Sequence, residues 1–285
     1  MTSLGATALE NFEKSLSGRR SFLRRMGLAS AGVGAFLATM ESGKSQTTTL
    51  TDADIVQFAL NLEYLESEFY TVARTGKTID QMGVAITGSG TPGATTGGQK
   101  VTFIEGSTLA QSADEIGADE RAHVNYLRTA LTSLGVTPIA KPAINLAALG
   151  TGFQSQEAFI ALARAFEDVG VTAYAGAAPL LTNKTVLGAA ARILAAEAEH
   201  AGNLRLHAAL YQAKTTAVDA VDILPPPSGT NYISVDNNGL AAVRTPGQVL
   251  YIVYGGQANA TSGGFFPNGV NGTANTSSTA ATQAS

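Results

Sequence analysis

Glu-x-x-His occurs twice in a chain that contains three histidines, and both copies fall inside an apolar helix stripe. The segments "ERAHVNYLRTAL" (120–131) and "EAEHAGNLRLHAAL" (197–210) share Glu-x-x-His-x-x-x-Leu-Arg at an offset of 77 residues. Three residues of α-helix turn through about 300°, so the Glu and the His leave one face on adjacent turns and can hold the same ion. A single Glu-x-x-His is a weak signal; its recurrence at two of three histidines, with Leu-Arg in register, is a strong one. The stripes are Leu109, Ala113, Ile116, Glu120, His123, Leu127, Ala130 and Leu134 in one helix, with Gly135 placed to end it, and Ala190, Ile193, Glu197, His200, Leu204, His207 and Tyr211 in the other.

Two further helices carry a matching pair of their own. Ile55, Phe58, Leu62, Leu65, Phe69 and Val72 recur at three- and four-residue spacing after the capping candidates Thr51 and Asp52, and Glu63 and Tyr70 each follow a stripe position. The stripe Phe159, Leu162, Phe166, Val169 and Ala173, in a helix over about 155–178, places Glu167 and Tyr174 at the same offset. Seven residues are almost two turns, which stacks each Tyr over its own Glu, where a phenol can donate to the carboxylate and fix it. The order along the chain is Glu, Glu-x-x-His, Glu, Glu-x-x-His, and Glu63, Glu120, His123, Glu167, Glu197 and His200 converge as six metal ligands. Four inward carboxylates repel one another and are poorly solvated unless cations neutralise them. Two divalent ions balance four negative charges, and carboxylate with imidazole suits iron or manganese better than zinc. Glu66 competes with Glu63 for the first place, but its counterpart at 170 is Gly. His207 corresponds to Ala130 in the other copy and is either a helix-facing polar neighbour or a ligand. Arg128 and Arg205, the basic pair of the repeat, either pair with acids or stand in solvent.

The 285 residues suit one domain with extensions. The four helices occupy 51–213, interrupted by a Gly/Thr-rich insertion at 75–104 and by a connection at 136–154 that is too long for a tight helical hairpin. Residues 214–285 begin with Pro225, Pro226 and Pro227 and continue rich in Gly, Asn, Thr and Ser; one apolar island, "PGQVLYIVYGG", reads as a strand or a short helix. This extension is expected to wrap the bundle and to end in about a dozen disordered residues. The chain has no cysteine, which excludes disulfides, thiolate metal sites and a rubredoxin-type module, and its net charge of −4 excludes a nucleic-acid footprint. Residues 1–45 pair Arg19 and Arg20 with Phe22, Leu23 and a run of about 15 mildly apolar residues, the pattern of a twin-arginine export signal. No clean A-x-A site follows, so the segment is either cleaved or kept as a membrane anchor, and the expected location is periplasmic, envelope or secreted.

The ligand order resembles that of the ferritin-like di-iron superfamily. "NLEYLESEFY", the loop-rich extension and "GGFFPNG" are similar to the ferritin-like-domain family that includes desiccation-related proteins. The resemblance implies an all-α four-helix bundle with a long crossover between its second and third helices. It further implies two Fe or two Mn ions per chain bridged by Glu120 and Glu197, with Glu63, His123, Glu167 and His200 as terminal ligands and Tyr70 and Tyr174 behind them. The implied activity is that of an oxidoreductase acting on dioxygen or peroxide, as a ferroxidase, peroxidase or catalase. The competing reading is a non-enzymatic envelope protein, protective under drying or oxidative stress, with a structural metal. The insertion and the C-terminal extension depart from iron-storing ferritins and argue against a hollow storage shell; the oligomeric state stays open, a homo-oligomer included.

Overall fold

The computed structural model describes residues 49–282, so the expected signal or anchor over 1–45 lies outside the described residues. Four long helices carry the apolar stripes: α1 (Asp52–Thr75), α2 (Thr108–Ser133), α3 (Gln156–Ala177) and α4 (Lys184–Leu210). Each begins at a residue whose side chain accepts from the first-turn N–H groups: Thr51 in a capping box with Asp54, then Ser107, Ser155 and Asn183. Gly76 and Gly135, both at positive φ, let the chain turn away after α1 and α2. Helix α1 packs chiefly on α2 and α3 chiefly on α4, with α1–α3 and α2–α4 contacts closing an all-α bundle. Its core joins Phe58, Leu62, Leu65 and Phe69 of α1 to Phe159, Phe166 and Val169 of α3, and Phe69 stacks on Phe159 with ring centroids 5.2 Å apart. Among the described residues no helix is long and apolar enough to cross a membrane.

The insertion after α1 and the connection between α2 and α3 support each other. Strand β1 (Thr95–Thr96) pairs in parallel with β2 (Ile144–Asn145), and Ser89 bridges to Ile139. The approach is so close that a Cβ at Gly88 would collide with the carbonyl oxygen of Pro138. Below this ribbon the buried Lys141 ammonium meets Glu68 at 3.2 Å and donates to Thr95 at 2.7 Å. The repeat's arginines are clamps. Arg128 donates to the carbonyls of Thr87 and Ile139, holding the insertion and the crossover, and Arg205 donates to those of Ile223, Asn231 and Tyr232, holding the extension. Neither stands free in solvent.

The C-terminal extension wraps the bundle through buried charge. Arg164 meets Asp222 at 2.7 Å, Arg205 meets Asp168 at 2.8 Å, and Arg244 meets Asp219 at 2.6 Å while donating to the Thr172 hydroxyl. The apolar island forms a short helix, α5 (Pro246–Val253), again started by a capping box at Thr245. One expectation fails here. Residues 274–282 are packed rather than disordered, because Ser277 N–H reaches the Ala260 carbonyl, Ser278 N–H reaches that of Gly247, and Ala281 is buried. The Asn271 side chain bonds Thr91 and the Ala140 carbonyl, which ties the same extension to the insertion and the crossover.

Removing one partner of a buried ion pair leaves the other charge desolvated and alone. Arg244→Ala is expected to lower the unfolding free energy in urea by roughly 3–5 kcal/mol. The Arg244→Ala/Asp219→Ala double variant should cost well below the sum of the two single variants; strictly additive costs would show that the pair does not hold the extension.

Candidate metal centre

Glu63, Glu120, His123, Glu167, Glu197 and His200 all point into the middle of the bundle, one acid from each helix and one imidazole from each of α2 and α4. The helical periodicity that puts Leu and Phe into the core puts these residues there too, and the four carboxylates are completely buried. Their ligand atoms form two overlapping groups, each within 4.8 Å: Glu63, Glu120, His123 and Glu197, and Glu120, Glu167, Glu197 and His200. The Nδ1 of His123 lies 3.2 Å from Glu63 and 3.4 Å from Glu197; that of His200 lies 3.1 Å from Glu120 and 3.3 Å from Glu167.

None of these approaches has hydrogen-bond geometry. Both Nδ1 atoms, both oxygens of Glu120 and of Glu197, and one oxygen each of Glu63 and Glu167 are buried without a hydrogen-bond partner. Eight buried polar atoms without partners in one place are costly in a folded core, and they fit the oxygen-and-imidazole demand of a pair of hard or borderline cations. The orphans also divide the acids. Glu120 and Glu197 keep both oxygens free and belong to both groups, whereas Glu63 and Glu167 each give one oxygen to a tyrosine.

Those tyrosines do not serve the acids expected. Tyr70 donates to Glu167 at 2.6 Å, and Tyr174 donates to Glu63, so each phenol crosses the bundle instead of capping the Glu on its own helix. The axial rise explains it: seven residues advance about 10.5 Å, beyond the reach of a phenol to its own helix's carboxylate. Burial, then the neighbouring Glu167 or Glu63 carboxylate, pushes both phenols well above their ordinary range, so they act as donors.

Burial and mutual repulsion set the cluster's protonation. Burial raises Glu120 to about 7, helped by the Glu63 charge, and burial with Glu120 and Glu167 raises Glu197 well above the carboxylate range. Burial alone would lower His200, but Glu120 and Glu167 push it up to about 12, and Glu63 with its neighbours raises His123 likewise. The shifts divide the cluster: Glu120 and Glu197 favour the protonated form, whereas Glu63, despite its burial, is held below its ordinary value by the His123 charge beside it.

Three residues outside the six complete the surroundings. Asp119 meets His200 Nε2 at 3.3 Å and fixes that ring from the solvent side. The repeat hides it, since the equivalent position, 196, is Ala. Glu66 is a fifth buried carboxyl beside the cluster, raised well above its ordinary value by burial and then by Glu197, Glu120, Glu167 and Glu63. Gly170 makes its room: a Cβ there would stand 2.5 Å from Glu197 Oε2 and 3.3 Å from Glu66 Oε1. His207 lies apart, packed against Tyr211 with an unpartnered Nδ1, and belongs to neither ligand group. Access from solvent is uneven. His123 is 12% exposed and lines an open cleft of about 310 Å³ between α2 and α4, with Ala122, Tyr126, Arg192, Ile193 and Ala196.

Comparison with known proteins agrees with this geometry. The chain is similar to a ferritin-like catalase, Nec2, of Nesocodon mauritianus, at 24% identity over 82% of this chain and 88% of the relative. The model of the family described as "Ferritin-like domain" matches residues 51–210, more than half of the chain and the stretch that holds all four ligand-bearing helices. By fold, by ligand order and by this match, the chain belongs to the ferritin-like domain family.

Proposed function

We propose that the protein is an exported di-iron or di-manganese oxidoreductase that disproportionates hydrogen peroxide, two H2O2 giving two H2O and one O2. The eight orphaned ligand atoms carry the metal half of this reading. The peroxide half is supported by the name of the similar ferritin-like catalase and by a cleft wide enough for small polar molecules at His123. Export is supported by Arg19 and Arg20 ahead of the apolar run, a route that takes folded proteins and so suits a site loaded before translocation.

When bound, a redox-active pair of ions supplies the two-electron capacity, oxidising one peroxide to dioxygen and reducing the next to water. The chain's own groups do the rest. Glu120 and Glu197, with both oxygens free, are the acids that would span two ions, while Glu63 with His123 and Glu167 with His200 would each serve one. Tyr70 and Tyr174 keep Glu167 and Glu63 turned inward. Asp119 holds the His200 ring so that Nδ1 faces the acids. Burial of the carboxylates removes competing water, and the open cleft beside His123, which Tyr126 and Arg192 also line, is the entrance from solvent.

The decisive measurement is metal content together with oxygen evolution. Protein purified from its native compartment should carry about two Fe or Mn ions per chain and release oxygen from added peroxide. Two bound metals without turnover would instead favour a structural, stress-protective role. Glu120→Ala should abolish stoichiometric binding of both ions, and retention of two ions would sink the bridging role. Tyr70→Phe should keep the fold and lower metal affinity or turnover by roughly 10- to 100-fold.

Proton linkage gives an independent check. The metal-free cluster binds protons on groups whose folded pKa values are raised, so incoming cations must displace them, and affinity should rise with pH. Each displaced proton makes affinity change about tenfold per pH unit below the raised pKa of the group that loses it. Titration calorimetry in buffers of different ionisation enthalpy should show a buffer-dependent heat; a buffer-independent heat would contradict the cluster's protonated ground state.

A further inference from the structure

A second pocket approaches the centre from between α1 and α3, and its chemistry differs from that of the cleft at His123. It has a volume of about 50 Å³ and is walled by Leu62, Leu65, Leu162, Phe166 and Val169, with Glu66 as its only ionisable side chain. The C-terminal extension roofs it with Val218, Ile252, Val253 and Phe265, and Leu149 of the crossover, 54% exposed, stands at its outer edge. Its inner end is Gly170. A Cβ there would sit 2.5 Å from Glu197 Oε2 and 3.3 Å from Glu66 Oε1, so at this point the wall between the pocket and the cluster is bare backbone.

The pocket is too small for an organic substrate, whose sites commonly reach several hundred Å³. A water molecule is stabilised by about two to four polar partners, and this lining offers one carboxyl. Dry apolar cavities of this kind take up apolar gases instead. We propose that the pocket is a dioxygen site, through which the gas reaches or leaves the carboxylate cluster beside Gly170. The inference rests on the peroxide reading for its direction: peroxide, a polar molecule, uses the cleft at His123, and dioxygen, the apolar product, leaves past Gly170, Val169 and the roof. The binding site itself does not depend on that reading.

Crystals of the metal-loaded protein pressurised with xenon test the site directly. Xenon is expected between Val169 and Phe265 in the wild-type protein, and no xenon there would overturn the proposal. Ala165→Phe, which fills the lining from α3 without touching the cluster, should exclude xenon and lower kcat for peroxide several-fold at unchanged kcat/KM, because entry and first reaction of peroxide are untouched while product release slows. Xenon excluded with kcat unchanged would overturn the exit route. If the wild-type protein binds xenon and evolves no oxygen from peroxide, the gas site stands and the catalase reading fails.

Discussion

Four carboxylates at the centre of an apolar helix bundle form the constraint to which the rest of the molecule answers. Each is wholly buried, and each raises the cost of ionising its neighbours, which is why Glu120 and Glu197 titrate so far above an ordinary carboxylate. Such a core has two stable conditions: loaded with protons, or loaded with cations. Hydrogen bonding alone does not satisfy it, since two tyrosines supply only two donors to eight carboxylate oxygens, and six of those remain orphaned. The helices must therefore be held together by something other than the cluster while it exchanges one kind of positive charge for another.

The rest of the chain supplies that hold. Only 14% of residues are charged, yet Arg164, Arg205 and Arg244 are buried, each paired with an aspartate and each fastening the C-terminal extension. The Glu-x-x-His repeat contains part of this scaffold as well. Arg128 and Arg205 stand five residues beyond the two histidines; Arg205 binds three carbonyls of the extension that follows α4, and Arg128 binds one carbonyl of the crossover after α2 and one of the insertion before it. One sequence unit thus positions two ligands and clamps the irregular segments packed beside them. Buried ion pairs add little net stability compared with apolar packing, but they fix register, and register is what an irregular extension of about 70 residues lacks.

What the sequence made legible was local. The stripe spacing, the cap at Thr51 and the Glu-x-x-His pattern are all set within one or two turns, and they suffice to place six side chains on inward faces. The tyrosines were recognisable as partners of the acids, but their pairing was not, because the choice between a Glu on the same helix and one across the bundle depends on axial rise against interhelical distance. Glu66 was visible as a candidate and Gly170 as its counterpart; that the bare backbone at 170 leaves room for Glu197 and, less tightly, for Glu66 required the packing. The extension was misjudged at its end for a related reason. Gly, Asn and Thr predict poor burial of apolar surface, yet Asn271 and Arg244 tie the extension to segments far away in sequence, and Ser277 bonds its end back to Ala260 within the extension.

The ligand set is nearly two-fold symmetric, and its surroundings are not. His123 borders an open cleft, whereas His200 is 7% exposed and held by Asp119. Position 66 is an acid where its counterpart, 170, has no side chain, so the α1–α3 side gains both an extra carboxyl and a void lined by apolar groups. A symmetric set of ligands suits two ions of the same kind. An asymmetric environment suits a reaction whose reactant and product differ in polarity, because each can then be favoured on a different side of the same centre. The C-terminal extension, which roofs the apolar side, contributes to that difference as well as to the stability of the bundle.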